Sequence, residues 1–340
     1  MDNIILQHNE HNYDSATRLQ KALNLLDIQT ILSQENTKPN NSLYFNLNEI
    51  DPLNTASTDA LLEKIIEKIP INFENLPLLV EGESKIIKSL NDKIVVELFK
   101  PTVYSYTKNR YGTVAGTEEL RAKFTAEVFR QMNIEKNKPN GRHLNNAFLA
   151  SIQTKEGTLN IQRKVVSSNL EVRVKRFHIG SPVHRYKYTD DHPTIAPKFT
   201  PLKKWDRFDN PLICFDWRNP LTDDDGNRLA DEPISDDYAA IWMHNVPQAK
   251  KLALDTFLWL EQLFYDAHLT LIDICFFIDQ SGKYVFGEIS PDCMRVREGR
   301  GHPKDAKSLD KDLWRNGEKE DFLAKRYDHL YNVIFKSIKI

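Results

Sequence analysis

Several short stretches of this 340-residue chain combine charged side chains with residues that shape a backbone around an anion. In Ser290-Pro291-Asp292-Cys293-Met294-Arg295 a turn carries an acid and presents a guanidinium three residues later. Arginine's planar fork matches a carboxylate or phosphate, so Arg295 is a candidate for a forked anion contact. An ordinary surface ion pair with Asp292 or Glu298 is the plain alternative. A second run, Glu171 to Ser181, reads Glu-Val-Arg-Val-Lys175-Arg-Phe-His-Ile-Gly180-Ser181. It alternates apolar and basic residues as a half-exposed strand does, and its closing Gly-Ser offers backbone amides and a hydroxyl to a phosphate. A solvated strand face looks much the same. Asp231 and Asp273 are carboxylates that could share a hard cation screening a substrate's anionic groups. Asp231 stands among Asp223, Asp224, Asp225, Asp236 and Asp237, where a solvated loop acid is equally expected. Asp273 lies between Leu271, Ile272 and Ile274, where an unpaired acid is costly to bury. His178 and His184 lack a third ligand at metal spacing.

These side chains need elements to position them. Glu171–Phe177 reads as a strand, Leu269–Ile278 as a nearly continuous apolar strand, and Gln280–Lys283 as a turn into a strand Tyr284–Ile289. Asn245 caps a long helix Val246–Ala267 with Pro247 in its first turn. Leu79–Lys88 and Lys93–Phe99 read as strands joined at Asn91-Asp92, followed by a helix Glu118–Met132 striped with Leu120, Phe124, Val128 and Met132. A final helix runs from about Glu320 to Ile338. One antiparallel sheet of five or more strands is expected to hold 94–99, 171–177 and 269–278. Residues 1–76 read as a separate small α/β unit, with strands near 3–7, 28–32 and 43–47 and two amphipathic helices; residues 77–340 form the main domain. The class is α+β with a mainly antiparallel sheet.

Composition narrows the function. Hydrophobic residues at 40% and charged residues at 28% permit a packed core, and a formal net charge of −2 gives no global pull toward nucleic acid or an anionic membrane. Three scattered cysteines make no disulfide framework, no apolar run is long enough for a membrane helix, and the first residues do not form a signal peptide. A cytoplasmic protein binding small molecules is the expectation. Nothing in the sequence opposes a homo-oligomer.

From Leu78 onward the chain resembles SAICAR synthetase, the phosphoribosylaminoimidazole-succinocarboxamide synthase family. The resemblance rests on Glu81-Gly82-Glu83-Ser84-Lys85, on Glu171 to Ser181, on Leu271-Ile-Asp273-Ile with Gly287-Glu288-Ile-Ser290-Pro291-Asp292-Cys-Met-Arg295, and on Asp310-Lys311-Asp312-Leu-Trp-Arg315. It implies a carbon–nitrogen ligase of purine biosynthesis, or of a related pathway, that joins aspartate to an aminoimidazole ribonucleotide's carboxylate with ATP and magnesium. It also implies catalytic and metal roles for Asp231 and Asp273, with Glu288 as a further metal ligand. Lys175, Ser181, Asp292 and Arg295 would bind substrate, and Gly82, Lys85 and Lys164 would face the nucleotide. The pattern departs from the family where a metal-bound triphosphate would lie. Cys275 and Phe277 stand in place of lysine and glutamate, Gly287 in place of an aspartate, and Glu83 in place of a lysine. Lys175 stands in place of an arginine, replacing a fork with a point charge. These departures raise an alternative: a paralogue that works without ATP, cleaving or binding a related ribotide or amide, or a non-catalytic binding protein.

Overall fold

The computed structural model describes residues 4–8, 13–34, 43–47, 58–105, 110–136, 138, 141–142, 144–180, 203–218, 224–226, 229 and 231–336. The chain divides into two compact units, residues 1–100 with 126–141 and 146–165, and residues 101–125 with 142–145 and 166–340.

In the first unit, strand β1 (Ile4–Gln7) leads into helix α1 (Tyr13–Asn24), β2 (Thr30–Ser33), β3 (Leu43–Asn46) and helix α2 (Thr58–Ile66). β1 pairs in parallel with β2 on one side and β3 on the other. Leu19 and Leu23 of α1 and Leu62, Ile65 and Ile66 of α2 are buried, as their helical spacing requires. The chain continues as β4 (Leu78–Glu81), β5 (Lys85–Asn91) and β6 (Ile94–Phe99). It leaves for the hairpin β7 (Thr102–Ser105) and β8 (Arg110–Thr113) and for helix α3 (Thr117–Lys136), then returns with β9 (Phe148–Thr154) and β10 (Gly157–Arg163). β4-β5-β6-β10-β9 form a five-stranded antiparallel sheet. Ile94 and Val96 alternate inward with Leu159 and Ile161 and share one apolar cluster with Leu6, Leu19, Leu62 and Ile66. Burying each such side chain stabilises the fold by about 1.5–3 kcal/mol. The first 76 residues and the five-stranded sheet therefore have a common core. Sequence alone gave Leu79–Lys88 as one strand. The structure breaks it at Gly82–Ser84, where β4 folds back on β5 and the Gly82 amide donates to the Lys85 carbonyl at 2.9 Å.

The second unit holds the hairpin and a second sheet built from β11 (Ser167–Phe177), β12 (Arg207–Trp217), β13 (Glu232–Ile234), β14 (Leu269–Asp279), β15 (Val285–Phe286) and β16 (Met294–Glu298). Its order is β13-β12-β11-β14-β15, with β16 also on β14. The expectation of a single sheet is overturned, because 94–99 belongs to the first sheet while 171–177 and 269–278 belong to the second. β10, which the sequence reading did not assign, takes the edge of β6 that β11 would have needed. Between β13 and β14 lie helices α4 (Asp236–Trp242) and α5 (Val246–Asp266). Asn245 caps α5, its side-chain oxygen accepting from the Gln248 amide at 3.0 Å, and α5 packs along β14. That packing accounts for the continuous apolar run of β14, which is buried along most of its length. The strand expected at 284–289 is shorter, Val285–Phe286. The chain closes with α6 (Asp312–Arg315) and α7 (Asp321–Tyr331), the latter continuing as a wider turn to Lys336. Among the described residues no helix is long and apolar enough to cross a membrane.

Candidate functional site

Three neighbouring strands of the second sheet set the charged centre. The register places Lys175 of β11 opposite Asp273 of β14, and Asp273 opposite Arg295 of β16. Both cations reach one oxygen of Asp273: Lys175 Nζ at 2.5 Å and Arg295 Nη1 at 2.6 Å from Oδ2. Asp273 is 3% exposed. Burial alone would push its carboxyl up, but Arg295 and Lys175 outweigh burial and hold it below the usual carboxylate range. Lys175 also donates to the Ile179 carbonyl at 3.0 Å. Gly180 has φ +80°, and a Cβ there would lie 3.0 Å from the Arg295 guanidinium, so a glycine is what lets Arg295 lie against this backbone. Ser181, the next residue, lies outside the described residues.

The cluster extends into the last loop. Arg295 Nε donates to Asp312 Oδ1 at 3.2 Å, and Asp312 also accepts from Arg315 at 2.5 Å and from Arg297 at 2.7 Å. Arg297 donates to Asp310 at 2.8 Å, and Lys311 to Asp292 at 2.8 Å. Burial, with Asp312 adding, pushes the Asp310 carboxyl up, while Asp292 and Asp312 are held down by their cations against burial. Five cationic side chains thus meet four carboxylates. An excess of buried positive charge of this kind favours an anion. Lys175, Asp273 and the nearby pair Asp292 and Arg295, from three separate stretches of sequence, all belong to this cluster.

The remaining residues do not gather there. On the same face of the sheet, Glu171, Arg173 and Lys175 of β11 are flanked by Asp216 and Cys214 of β12 and by Phe277, Cys275 and Asp273 of β14. Asp231 precedes Glu232, which pairs with Trp217, and its charge is felt by Glu171. Glu171 is four residues along β11 from Lys175, about 13 Å. Asp231 and Asp273 therefore sit toward opposite ends of the face and do not form one cation site. Between them, Arg173 pairs with Asp216 at 2.8 Å and reaches Cys214 Sγ at 3.3 Å. Phe277 lies with its ring centroid 5.6 Å from that of Phe286 and under the Arg218 guanidinium at 5.3 Å. Burial pushes the Cys275 thiol well up, which makes it a small apolar group. Along β14 itself the side chains on this face pass from charged at Asp273 to apolar at Phe277.

In the first unit, Gly82 and Lys85 sit at the β4–β5 turn, with Lys85 Nζ 3.5 Å from Glu97 Oε2 and 5.1 Å from the Phe99 ring centroid. Lys85 pairs with Phe99, whereas the Lys164 amide bonds to the Lys93 carbonyl. The two lysines are thus six residues apart along β6, about 20 Å. Glu288, in the second unit, accepts from Arg121 through both oxygens. Sequence reasoning missed Arg121. Its signal was weak but present, since Arg121 falls on the helical stripe of Phe124 and Val128 and is 0% exposed.

The model of the SAICAR synthetase family matches residues 78–329. The chain belongs to the SAICAR synthetase family. It is 27% identical over 259 residues to a phosphoribosylaminoimidazole-succinocarboxamide synthase of Chloroflexus aggregans, covering 74% of this chain and 91% of that one. It is also 24% identical over 283 residues to the bifunctional cordycepin biosynthesis cluster protein 3 of Cordyceps militaris, where the match covers 70% of this chain and 30% of that protein's length. Among solved structures, the SAICAR synthase of Saccharomyces cerevisiae complexed with SAICAR superposes with a TM-score of 0.58 at 16% identity, covering 79% of this chain and 98% of that one. The α+β class with antiparallel sheets is the fold of this family member.

The magnesium that the family uses does not fit the described residues of this region. Asp273 is neutralised by two cations and Glu288 by Arg121. Among the described residues no group of three or more His, Cys, Asp or Glu side chains could hold a metal ion. Gly287 has φ +77°, a backbone that favours glycine over the aspartate that the resemblance places here.

One carboxylate, opposite Phe277, has its pKa raised to near neutral pH. Burial, reinforced by Asp231 and Asp216 and opposed by Arg218, raises Glu171 to about 7. Its folded pKa lies above its unfolded value, so its contribution is most favourable below about pH 4.5 and is lost as pH rises through 7. Glu171→Gln should therefore leave Tm nearly unchanged at pH 5 and raise it at pH 8, where the relief is on the order of 2–3 kcal/mol. A pH-independent Tm difference, followed by circular dichroism, would contradict this assignment.

Proposed function

We propose that this member of the SAICAR synthetase family is a carbon–nitrogen bond-forming enzyme acting on an aminoimidazole-carboxylate ribonucleotide or a close analogue. The observation that supports it most is the Lys175–Asp273–Arg295 alignment across three adjacent strands, in a cluster with excess positive charge. A dianionic ribotide supplies what that cluster lacks. Arg295, with Ser181 as the resemblance implies, would clamp the substrate's anionic groups. Lys175 would give a point contact where the family has a fork, and Asp273 would hold both cations in place until substrate arrives. Asp292 keeps Lys311 at the edge of the same cluster. In the ligase reading, ATP transfers a phosphoryl group to the substrate carboxylate, ADP leaves, and the amine of aspartate attacks the acyl phosphate to release phosphate. Gly82, Lys85 and Lys164 would face the nucleotide, and residues 1–76 would be an addition to the family domain.

A second reading, a paralogue that handles a related ribotide without ATP, is favoured by Phe277, Cys275 and the Arg121-bound Glu288. The resemblance to a protein named for a cordycepin biosynthesis cluster agrees with a place outside central purine synthesis. Incubation with the ribotide, aspartate, ATP and magnesium separates the readings by mass spectrometry. A succinocarboxamide formed one for one with ADP supports the ligase. Ribotide conversion that proceeds equally without ATP supports the paralogue, and an unchanged ribotide in every mixture contradicts both.

A further inference from the structure

The Ser290-Pro291-Asp292 turn is tied to the protein interior through one carboxylate. Glu288 is 6% exposed, and its two oxygens accept from Arg121 Nε at 2.8 Å and Nη2 at 3.0 Å. Arg121 Nη1 donates to the Thr102 carbonyl at 3.2 Å. The Ser290 hydroxyl donates to Glu288 Oε1 at 2.5 Å, and its oxygen accepts the Asp292 amide at 3.1 Å, capping the turn. Thr125, one helical turn beyond Arg121, donates to the Ile289 carbonyl at 3.2 Å. Helix α3 thus grips residues 288 and 289 at two points, directly before the turn that leads into Arg295.

A buried ion pair is a poor device for stability alone, since apolar packing of equal volume commonly does as well. What packing cannot supply is a fixed acceptor for the Ser290 hydroxyl. A forked guanidinium fixes the carboxylate in one orientation, and it occupies both oxygens that a cation would need. We propose that Arg121 is a positioning residue: by fixing Glu288 it sets, through Ser290, the turn that presents Asp292 and Arg295 to the anion site. Glu288 is then a positioning group and not a metal ligand. The inference rests on the ribotide reading of that site only for its consequence in binding; the positioning itself is measurable without ligand.

Two variants of the full-length protein test it. Arg121→Met with Glu288→Met removes both charges together and leaves no buried charge behind. Ser290→Ala keeps the ion pair and cuts the link to the turn, so it decides the matter if the double variant does not fold. Amide hydrogen exchange in the 287–296 segment should be at least about tenfold faster in both, while 269–279 exchanges as in the parent protein. Affinity for 5-aminoimidazole-4-carboxylate ribotide should fall by about tenfold, the equivalent of one hydrogen bond, with the Ser290 variant still folding cooperatively at a Tm lowered by only a few degrees. Unaltered exchange in 287–296 of Ser290→Ala would overturn the positioning role. A parent protein that does not bind the ribotide would overturn the substrate reading, and exchange would still decide the role of Arg121.

Discussion

Asp273→Asn should destabilise the protein by about 3–5 kcal/mol, the usual cost of removing one partner from a buried ion pair. The reason is geometric. Lys175 and Arg295 converge on the same oxygen of Asp273, so an uncharged amide leaves two buried cations facing each other. A loss of this size is a large share of the 5–15 kcal/mol that holds a typical domain. The pH dependence has a defined sign. The folded carboxyl titrates below its unfolded value, so the stabilisation is present above about pH 4 and disappears as pH falls through the folded pKa. The stability difference between parent and variant, measured by urea unfolding, should therefore be constant from pH 6 to 8 and shrink below pH 4. Adding Lys175→Met to Asp273→Asn should recover part of the loss, because Lys175 is then no longer left without a carboxylate while Arg295 keeps Asp312. A difference below 1 kcal/mol at neutral pH would show that the three side chains do not meet as described.

The second large effect concerns ATP. Where the family pattern has lysine, glutamate and aspartate, this family member has Cys275, Phe277 and Gly287, and Glu83 reverses a lysine's charge. Each lost charge-assisted contact costs about 1.5–3 kcal/mol, or roughly 10- to 150-fold in affinity. Several together should move ATP with magnesium from a micromolar Kd to the millimolar range in calorimetric titration. Phe277→Glu should recover part of that affinity, although Glu171 directly across the strand pair would oppose a second carboxylate above pH 7. Gly287→Asp is the poorer test, because φ +77° strains any side chain there. Micromolar binding by the parent protein would mean that other groups hold the triphosphate.

Much of this was legible in the sequence, and what was not had physical causes. Lys175, Asp273 and Arg295 were identifiable because each sits in a short pattern: a basic strand, an acid in an apolar strand, and a turn before a guanidinium. Their convergence depends on strand register, which no local pattern encodes. The Asp310-Lys311-Asp312 run was visible as a motif, yet its work in neutralising Arg295 and Arg297 needed the tertiary path of the last loop. Arg121 resembled a solvated helix residue beside Glu118 and Glu119, and only its place on the apolar stripe hinted at burial. The single-sheet expectation was wrong because hairpin β9–β10 occupies the edge of β6, and the run 148–163 carries too few turn signals to announce it.

The central claim is that the Lys175–Asp273–Arg295 cluster holds an anionic ribotide. Calorimetric titration of 5-aminoimidazole-4-carboxylate ribotide, without ATP or magnesium, into the parent protein and into Arg295→Ala tests it most directly. Binding in the micromolar range by the parent, weakened by at least about tenfold in Arg295→Ala, is the predicted result. No heat with the parent protein, or equal affinity in a folded Arg295→Ala, would contradict it.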